Sequence, residues 1–345
     1  MFLTLDDARV ELARYLDPPR IEEAAALLSP VTALIAADDA PPGGHQIGGL
    51  PRAGADFVWP AVDEAALFAT TLRAGHPDAN AANRAHLDAG IPMSFVARIE
   101  LSALDRTGGL SALPDQGRLL FFYDFMIGSY ESTAQTGRVI WDRAEAAEIR
   151  DIPLPAALSR AAGQARDETR ALNAEFGTGE DWDGFGTVFE TAARPARITQ
   201  GVELPSPYML QAGAAPADLV AAIRGQTDDD EAHDLRDQYE EAYYALMPED
   251  APVLRLLSLA VPEQDDPRYN AVVTTRFGKE FLSHEEWQQH HDQIDAGAAE
   301  WVTLAQLDIA AWLQDNAEGQ VYFLIRAEDL AARHFDRVVA VYQQT

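Results

Sequence analysis

A histidine beside paired glycines is the first place in this chain to look for chemistry. Residues 43–60 read GGHQIGGLPRAGADFVWP. The glycines permit positive φ and close backbone approach, Pro51 fixes the exit direction, and His45 sits beside N–H groups that an anion would accept. Two readings follow. As a ligand cradle, the stretch offers His45, Gln46, Gly48 and Gly49 to a small molecule. As a structural corner, it feeds a strand, with Trp59 buried as a plug and Pro60 ending the element. The corner is favoured, because there is no phosphate-loop Lys-Ser/Thr and no dinucleotide glycine spacing.

Other motifs invite chemistry and lose on spacing. In GEDWDGFGTVFE, Asp181, Asp183, Gly184 and Glu190 fall at calcium-loop positions, but Gly179 replaces the first ligand and Pro195 interrupts any long exiting helix. His284 and His291 in SHEEWQQHHDQ are seven residues apart. That is about 10 Å along a helix, too far for one zinc ion, whose ligands each sit about 2 Å from it. No metal or cofactor is expected. No Gly-x-Ser-x-Gly elbow is present, so a nucleophilic serine has no marker, and the chain leans toward a non-enzymatic role. Arg98 reads as an exposed strand residue in a cross-strand ion pair.

Composition narrows the partners. The chain has 345 residues, no cysteine, 26 basic and 56 acidic side chains, and a formal net charge of −30. Disulfides and thiolate sites are excluded, and a phosphate backbone is repelled at long range, so no nucleic-acid partner is expected. The same charge attracts a basic protein, and it also fits a GC-rich genome or a salt-rich cytoplasm without any partner. Lys279 is the only lysine. The N-terminal residues read as an amphipathic helix from Thr4, with Leu5, Ala8, Leu12, Tyr15 and Leu16 on one face, and not as a signal peptide. A soluble, cytoplasmic protein with no membrane contact, monomeric or weakly dimeric, is the expectation.

Positioning these residues requires strands. MSFVARIEL alternates, which predicts a strand with one face buried, while GRLLFFYDF is apolar without a break and predicts one covered on both faces. GRVIWD at Gly137–Asp142 is a third. Helices are expected from Pro77 to Gly90, from Gly163 to Phe176 and from Asp228 to Leu246, the last with Leu235, Tyr239, Tyr243 and Leu246 on its apolar face. The C-terminal strands LAQLD and EGQVYFLIR answer VARIE and QGRLLFFYD, with Gln306 standing at the place of Arg98 and Gly319 at that of Gly117. This is the pattern of an internal duplication.

HQIGGLP with its Trp-Pro pair, MSFVARIEL, LPDQGRLLFFYD and the C-terminal LAQLDI with GQVYFLIRAEDLAARHFDRV together resemble the YwqG-like family of bacterial domains of unknown function. The resemblance covers Gly43 to the end and implies an α+β fold of two similar subdomains. Family members carry a second glycine- and proline-containing block in the later half, and the corresponding DDPRYNAVVTTRFGKEFLSHEEWQQHHDQ lacks it. The expected architecture is α+β, with mainly antiparallel or mixed sheets and peripheral helices. Its expected parts are a helical segment over 1–42 and subdomains over 43–204 and 205–345, joined in one compact unit. Two functions remain open. One is an acidic protein-binding module, most concretely a toxin-neutralising immunity protein. The other is a small-molecule-binding protein or hydrolase, with a site in the groove between subdomains lined by His45, Gln46, Gly48, Gly49, Arg98, Tyr123 and Gln306.

Overall fold

The computed structural model describes residues 4–41, 43–68, 77–129, 132–176, 186–210, 216–227, 229–248, 252–315 and 317–344. Twelve strands are found among them. In chain order they are β1 (Ser29–Ala36), β2 (His45–Ile47), β3 (Arg52–Ala53), β4 (Ser94–Glu100), β5 (Arg118–Tyr123), β6 (Gly137–Asp142), β7 (Arg150–Asp151), β8 (Arg194–Glu203), β9 (Leu254–Leu256), β10 (Trp301–Asp308), β11 (Gln320–Arg326) and β12 (Val339–Gln343). Ten of them form one sheet in the order β12-β11-β10-β9-β1-β8-β2-β4-β5-β6, antiparallel throughout, and β3 pairs with β7 in a small ribbon. The fold is α+β.

The order is palindromic. Outward from the central β1–β8 ladder run β9, β10, β11, β12 on one side and β2, β4, β5, β6 on the other. Local details repeat as well. Gln46 lies opposite Arg98 as Arg255 lies opposite Gln306, and register shifts fall at Phe95/Ala97 and at Thr303/Ala305. Gly48 N donates to Val96 O and Leu257 N to Leu304 O, from residues at φ +59° and +44°. The glycine- and proline-containing block is absent from Asp265–Gln293. That region forms covering helices, and the register counterpart of the HQIGGLP corner is Leu254–Leu257, where a leucine takes the positive φ.

Alternation along the strands explains their apolar runs. On β5, Leu119, Phe121 and Tyr123 enter the central core with Val321, Phe323 and Ile325 of β11. Leu120 and Phe122 point the other way, toward Phe57 and Trp59, and Tyr322 and Leu324 toward an outer helical layer. Ten helices are found among the described residues: α1 (Leu5–Leu12), α2 (Pro18–Ala25), α3 (Pro77–Asp88), α4 (Ala156–Phe176), α5 (Ala217–Ile223), α6 (Asp230–Leu246), α7 (Pro267–Val272), α8 (His284–Ala298), α9 (Ile309–Leu313) and α10 (Ala327–Ala332). Thr4 and Asp7 form the capping box that starts α1, and Ser283 and Glu286 form that of α8. Helices α1, α2, α5 and α6 share one cluster, and α7 and α8 pack on β10–β12. No described helix is long and apolar enough to cross a membrane.

Three expectations are corrected. β4 is buried on both faces from Ser94 to Ile99, because Ser94 Oγ donates to Val188 O and Arg98 finds partners within the fold. Leu5 is exposed, and the buried face of α1 is Ala8 and Leu12. Trp59 is half-buried and covers the outer face, its Nε1 donating to Met93 O at 2.7 Å.

The sheet curls until its edges meet. Phe121 and Phe323 stack edge to face across the interior at 5.5 Å, and Ala340 N donates to Thr133 O at 3.2 Å beside β6. At this seam a Cβ on Gly137 would lie 2.6 Å from that of Ala340. Gly137→Val is therefore expected to destabilise by about 1 to 3 kcal/mol through overpacking, read by urea unfolding. An unchanged midpoint would show that the seam does not hold the barrel closed.

Candidate functional site

The HQIGGLP corner is wired into the fold. Gly48 and Gly49 have φ of +59° and +71°, and their N–H groups donate to Val96 O and Thr191 O, each at 2.9 Å. Those two donors are therefore occupied and do not await an anion. Gln46 Nε2 spans the turn, donating to Gly48 O at 2.7 Å and Leu50 O at 2.9 Å. A Cβ on Gly48 would lie 2.0 Å from Thr191 Oγ1, and one on Gly49 2.4 Å from the Ala193 Cβ.

Beside the corner lies a network of buried charge. His45 is buried, and its Nδ1 accepts from Glu100 N at 3.1 Å, which fixes a neutral ring with the proton on Nε2. Burial, reinforced by the Arg98 charge, lowers the His45 pKa to about 4. Arg98 is buried and not exposed as its strand position suggests, because the β3–β7 ribbon and the Gly44 turn cover it. Its Nε lies 3.0 Å from Glu100, which Arg118 approaches at 3.5 Å. Arg118 Nη1 reaches Asp142 at 2.5 Å, and Asp142 also accepts from Gly54 N and Ala144 N. Arg52 pairs with Asp151 across the ribbon at 3.2 Å.

The seven residues singled out by sequence do not line one groove. His45, Gln46, Gly48, Gly49 and Arg98 gather at the corner. Tyr123 is fully buried in the central core, and its hydroxyl has no hydrogen-bond partner. Gln306 lines a small cavity of about 140 Å³ with Arg255 and Asp308, in the other half. Gly49 and Leu50 border a cleft of about 670 Å³ closed by Arg166, Glu190, Leu313 and Asp315. Of the calcium-loop residues, Gly179, Asp181, Asp183 and Gly184 lie outside the described residues, and Glu190 is bound to Arg166.

Sequence reasoning missed a larger feature. A groove of about 940 Å³ runs between α6, the turn at Tyr208, the segment 261–269 and α8. Its aromatic walls are Tyr208, Tyr243, Tyr244, Tyr269 and Trp287, with Tyr269 and Trp287 edge to face at 5.7 Å. Asp237, Glu240, Glu263 and Asp265 supply carboxylates, against Arg224, Arg236 and His291. Burial raises the pKa of both Glu263 and Asp265; the Asp308 charge adds to it for the first, and the Asp266 backbone N–H opposes it for the second. Burial and then Asp295 push Tyr269 up to about 12, so the groove's field is negative at that hydroxyl. The signal in the sequence was Tyr244, an aromatic one position off the apolar face of α6 and exposed in the fold.

Two predictions test the corner. Unfolded, His45 takes up a proton below its ordinary 6.5, while in the fold it stays neutral to about 4. Its contribution is complete above pH 6.5 and is lost as pH falls from there to 4, about 3 kcal/mol in all. Urea unfolding across that range is expected to show this loss, and His45→Gln is expected to flatten it. An unchanged slope would remove His45 as the cause. Gly48→Val is expected to unfold the corner at a cost of at least about 2 kcal/mol, read by thermal melting, since both φ and the Thr191 contact forbid a branched side chain.

Residues 45–343 match the model of a family described as Domain of unknown function (DUF1963). No curated protein matches the chain. The matched span runs from the first strand of the corner to the last residue of β12, nearly the whole palindromic sheet, and so the chain belongs to the DUF1963 family.

Proposed function

We propose that the chain is a non-enzymatic binding protein whose aromatic, acidic groove receives a basic segment of a protein partner. A toxin-neutralising immunity protein is the most concrete version. The observation that carries this is the groove between α6 and α8, where five aromatic side chains stand among four carboxylates. Aromatic faces attract guanidinium and ammonium groups, and desolvated carboxylates gain most from a cation that enters. Tyr208 and Tyr244, both large and exposed, are the anchors expected to fill a partner's contact surface. The net charge of −30 speeds the approach of such a partner without fixing where it docks.

Two finer readings accompany this one. The palindromic strand order and repeated register support an internal duplication, with subdomains over 43–204 and 205–345, and the YwqG-like resemblance fits that history. The cleft beside Gly49 supports the alternative of a small-molecule site, since it joins the first-half corner to Leu313 and Asp315 of the second half.

The test is fluorescence anisotropy with a labelled arginine-rich peptide. The double variant Tyr208→Ala/Tyr244→Ala is expected to weaken binding about tenfold, and Asp237→Asn/Glu240→Gln to weaken it similarly while flattening the salt dependence. Asp56→Asn/Asp105→Asn, exposed acids elsewhere, serve as the control for total charge. Equal losses in the two charge variants, with none in Tyr208→Ala/Tyr244→Ala, would mean that overall charge and not the groove attracts the peptide. Affinity is also expected to fall as pH drops through the raised Glu263 and Asp265 values, because protonation removes the charge the cation needs.

A further inference from the structure

Arg98 and Gln306 occupy matching register positions, opposite the middle residues of the two short strands. Their surroundings differ in one respect. Gln306 is fully used by the chain: Nε2 donates to Val261 O at 3.0 Å and to Gln320 Oε1 at 3.1 Å, and Oε1 accepts from Val261 N at 2.9 Å. Arg98 is only 2 % exposed, and while its Nη2 donates to Gly44 O at 2.7 Å and its Nε faces Glu100, its Nη1 has no partner. An orphaned donor on a buried cation is costly, and a neutral amide serves the same position in the other half without that cost. Position alone therefore does not explain the charge.

The surroundings are those of an anion. Arg52, paired with Asp151 across the ribbon, is close enough for its charge to act on Arg98, and a Cβ built on exposed Gly43 would lie 3.5 Å from the Arg52 Nη1, so bare glycine backbone approaches a second guanidinium. Glu100 is divided between Arg98 and Arg118, Asp142 is taken by Arg118 and two backbone N–H groups, and neutral His45 adds no charge. Burial holds the Arg98 pKa below its ordinary value despite Glu100, with the repulsion of Arg52 and Arg118 contributing. We propose that Arg98 Nη1 and the Arg52 guanidinium, beside the Gly43–Gly44 turn, hold an oxyanion, the carboxylate or phosphate group of a small ligand. Planar guanidinium forks match both groups, which is why the position needs arginine and not lysine or glutamine. The site is separate from the aromatic groove.

The experiment is thermal melting of the full chain in inorganic phosphate and in sodium acetate, against sodium chloride at equal ionic strength. Phosphate or acetate in about tenfold excess over its Kd is expected to raise Tm by about 2 °C beyond chloride. A phosphate-selective shift assigns a phosphate ligand, and a shift in acetate assigns a carboxylate. Arg98→Gln, which copies the second half, is expected to keep the fold and abolish the shift. Arg52→Gln, at a more exposed position, is expected to weaken the response about tenfold, and it carries the test should Arg98→Gln fail to fold. No shift beyond chloride in the wild-type chain, or an equal shift in the variants, overturns the proposal.

Discussion

Strands buried on both faces, as β4, β5 and β11 are, leave a charged strand residue almost nowhere to meet water. The aromatic core fills the inside of the curled sheet, while helices, the Phe57–Trp59 segment and the β3–β7 ribbon cover its outside. A buried charge on such a strand must draw its compensation from within the protein. Arg255 does so with Glu203 of β8, on the far side of β1, and Arg118 with Asp142 on the neighbouring strand. The corner at Gly48 follows from the same demand. Its N–H groups are spent on carbonyls, and Gln46 turns back to satisfy the loop that its own strand creates.

Much of this was legible where burial and periodicity agree. β5 reads correctly because Leu119–Tyr123 has no polar interruption, and α3 reads correctly from Pro77 at its start and Gly90, at φ +58°, past its end. β4 misleads because Ser94 and Arg98 look like a solvent face. Side-chain hydrogen bonds to distant carbonyls let polar residues be buried, and those carbonyls belong to residues 188 and 44, which no local pattern connects to them. The central ladder was missed for a related reason. β8 mixes exposed and buried residues irregularly and carries Pro195 and Gly201, and its partner β1 lies more than 150 residues earlier. Of the candidate site, the glycine corner was visible in composition. The groove was not, since its walls come from four separate segments and only the misplaced Tyr244 hints at it.

The two halves share a frame and differ in what they place on it. At the first-half corner a glycine takes the positive φ, and at the second-half counterpart Leu257 takes it, accepting strain that a glycine avoids. Gln46 and Arg98 face each other on one side, Arg255 and Gln306 on the other, so the same pair of residue types appears with its order reversed. In the second half the arginine sits nearer the centre of the sheet and meets Glu203, and the amide takes the outer strand. In the first half the arginine takes the outer strand, where its carboxylate neighbour is Glu100, shared with Arg118.

That exchange divides the molecule's surface chemistry. The second half neutralises its strand charge internally, and it builds its aromatic groove outside the barrel from inserted helices, where carboxylates outnumber bases. The first half keeps a cation at the sheet under a thin glycine turn, where little protein separates it from solvent. A cationic partner at one site and an oxyanion at the other would each relieve a desolvation that the fold leaves uncompensated.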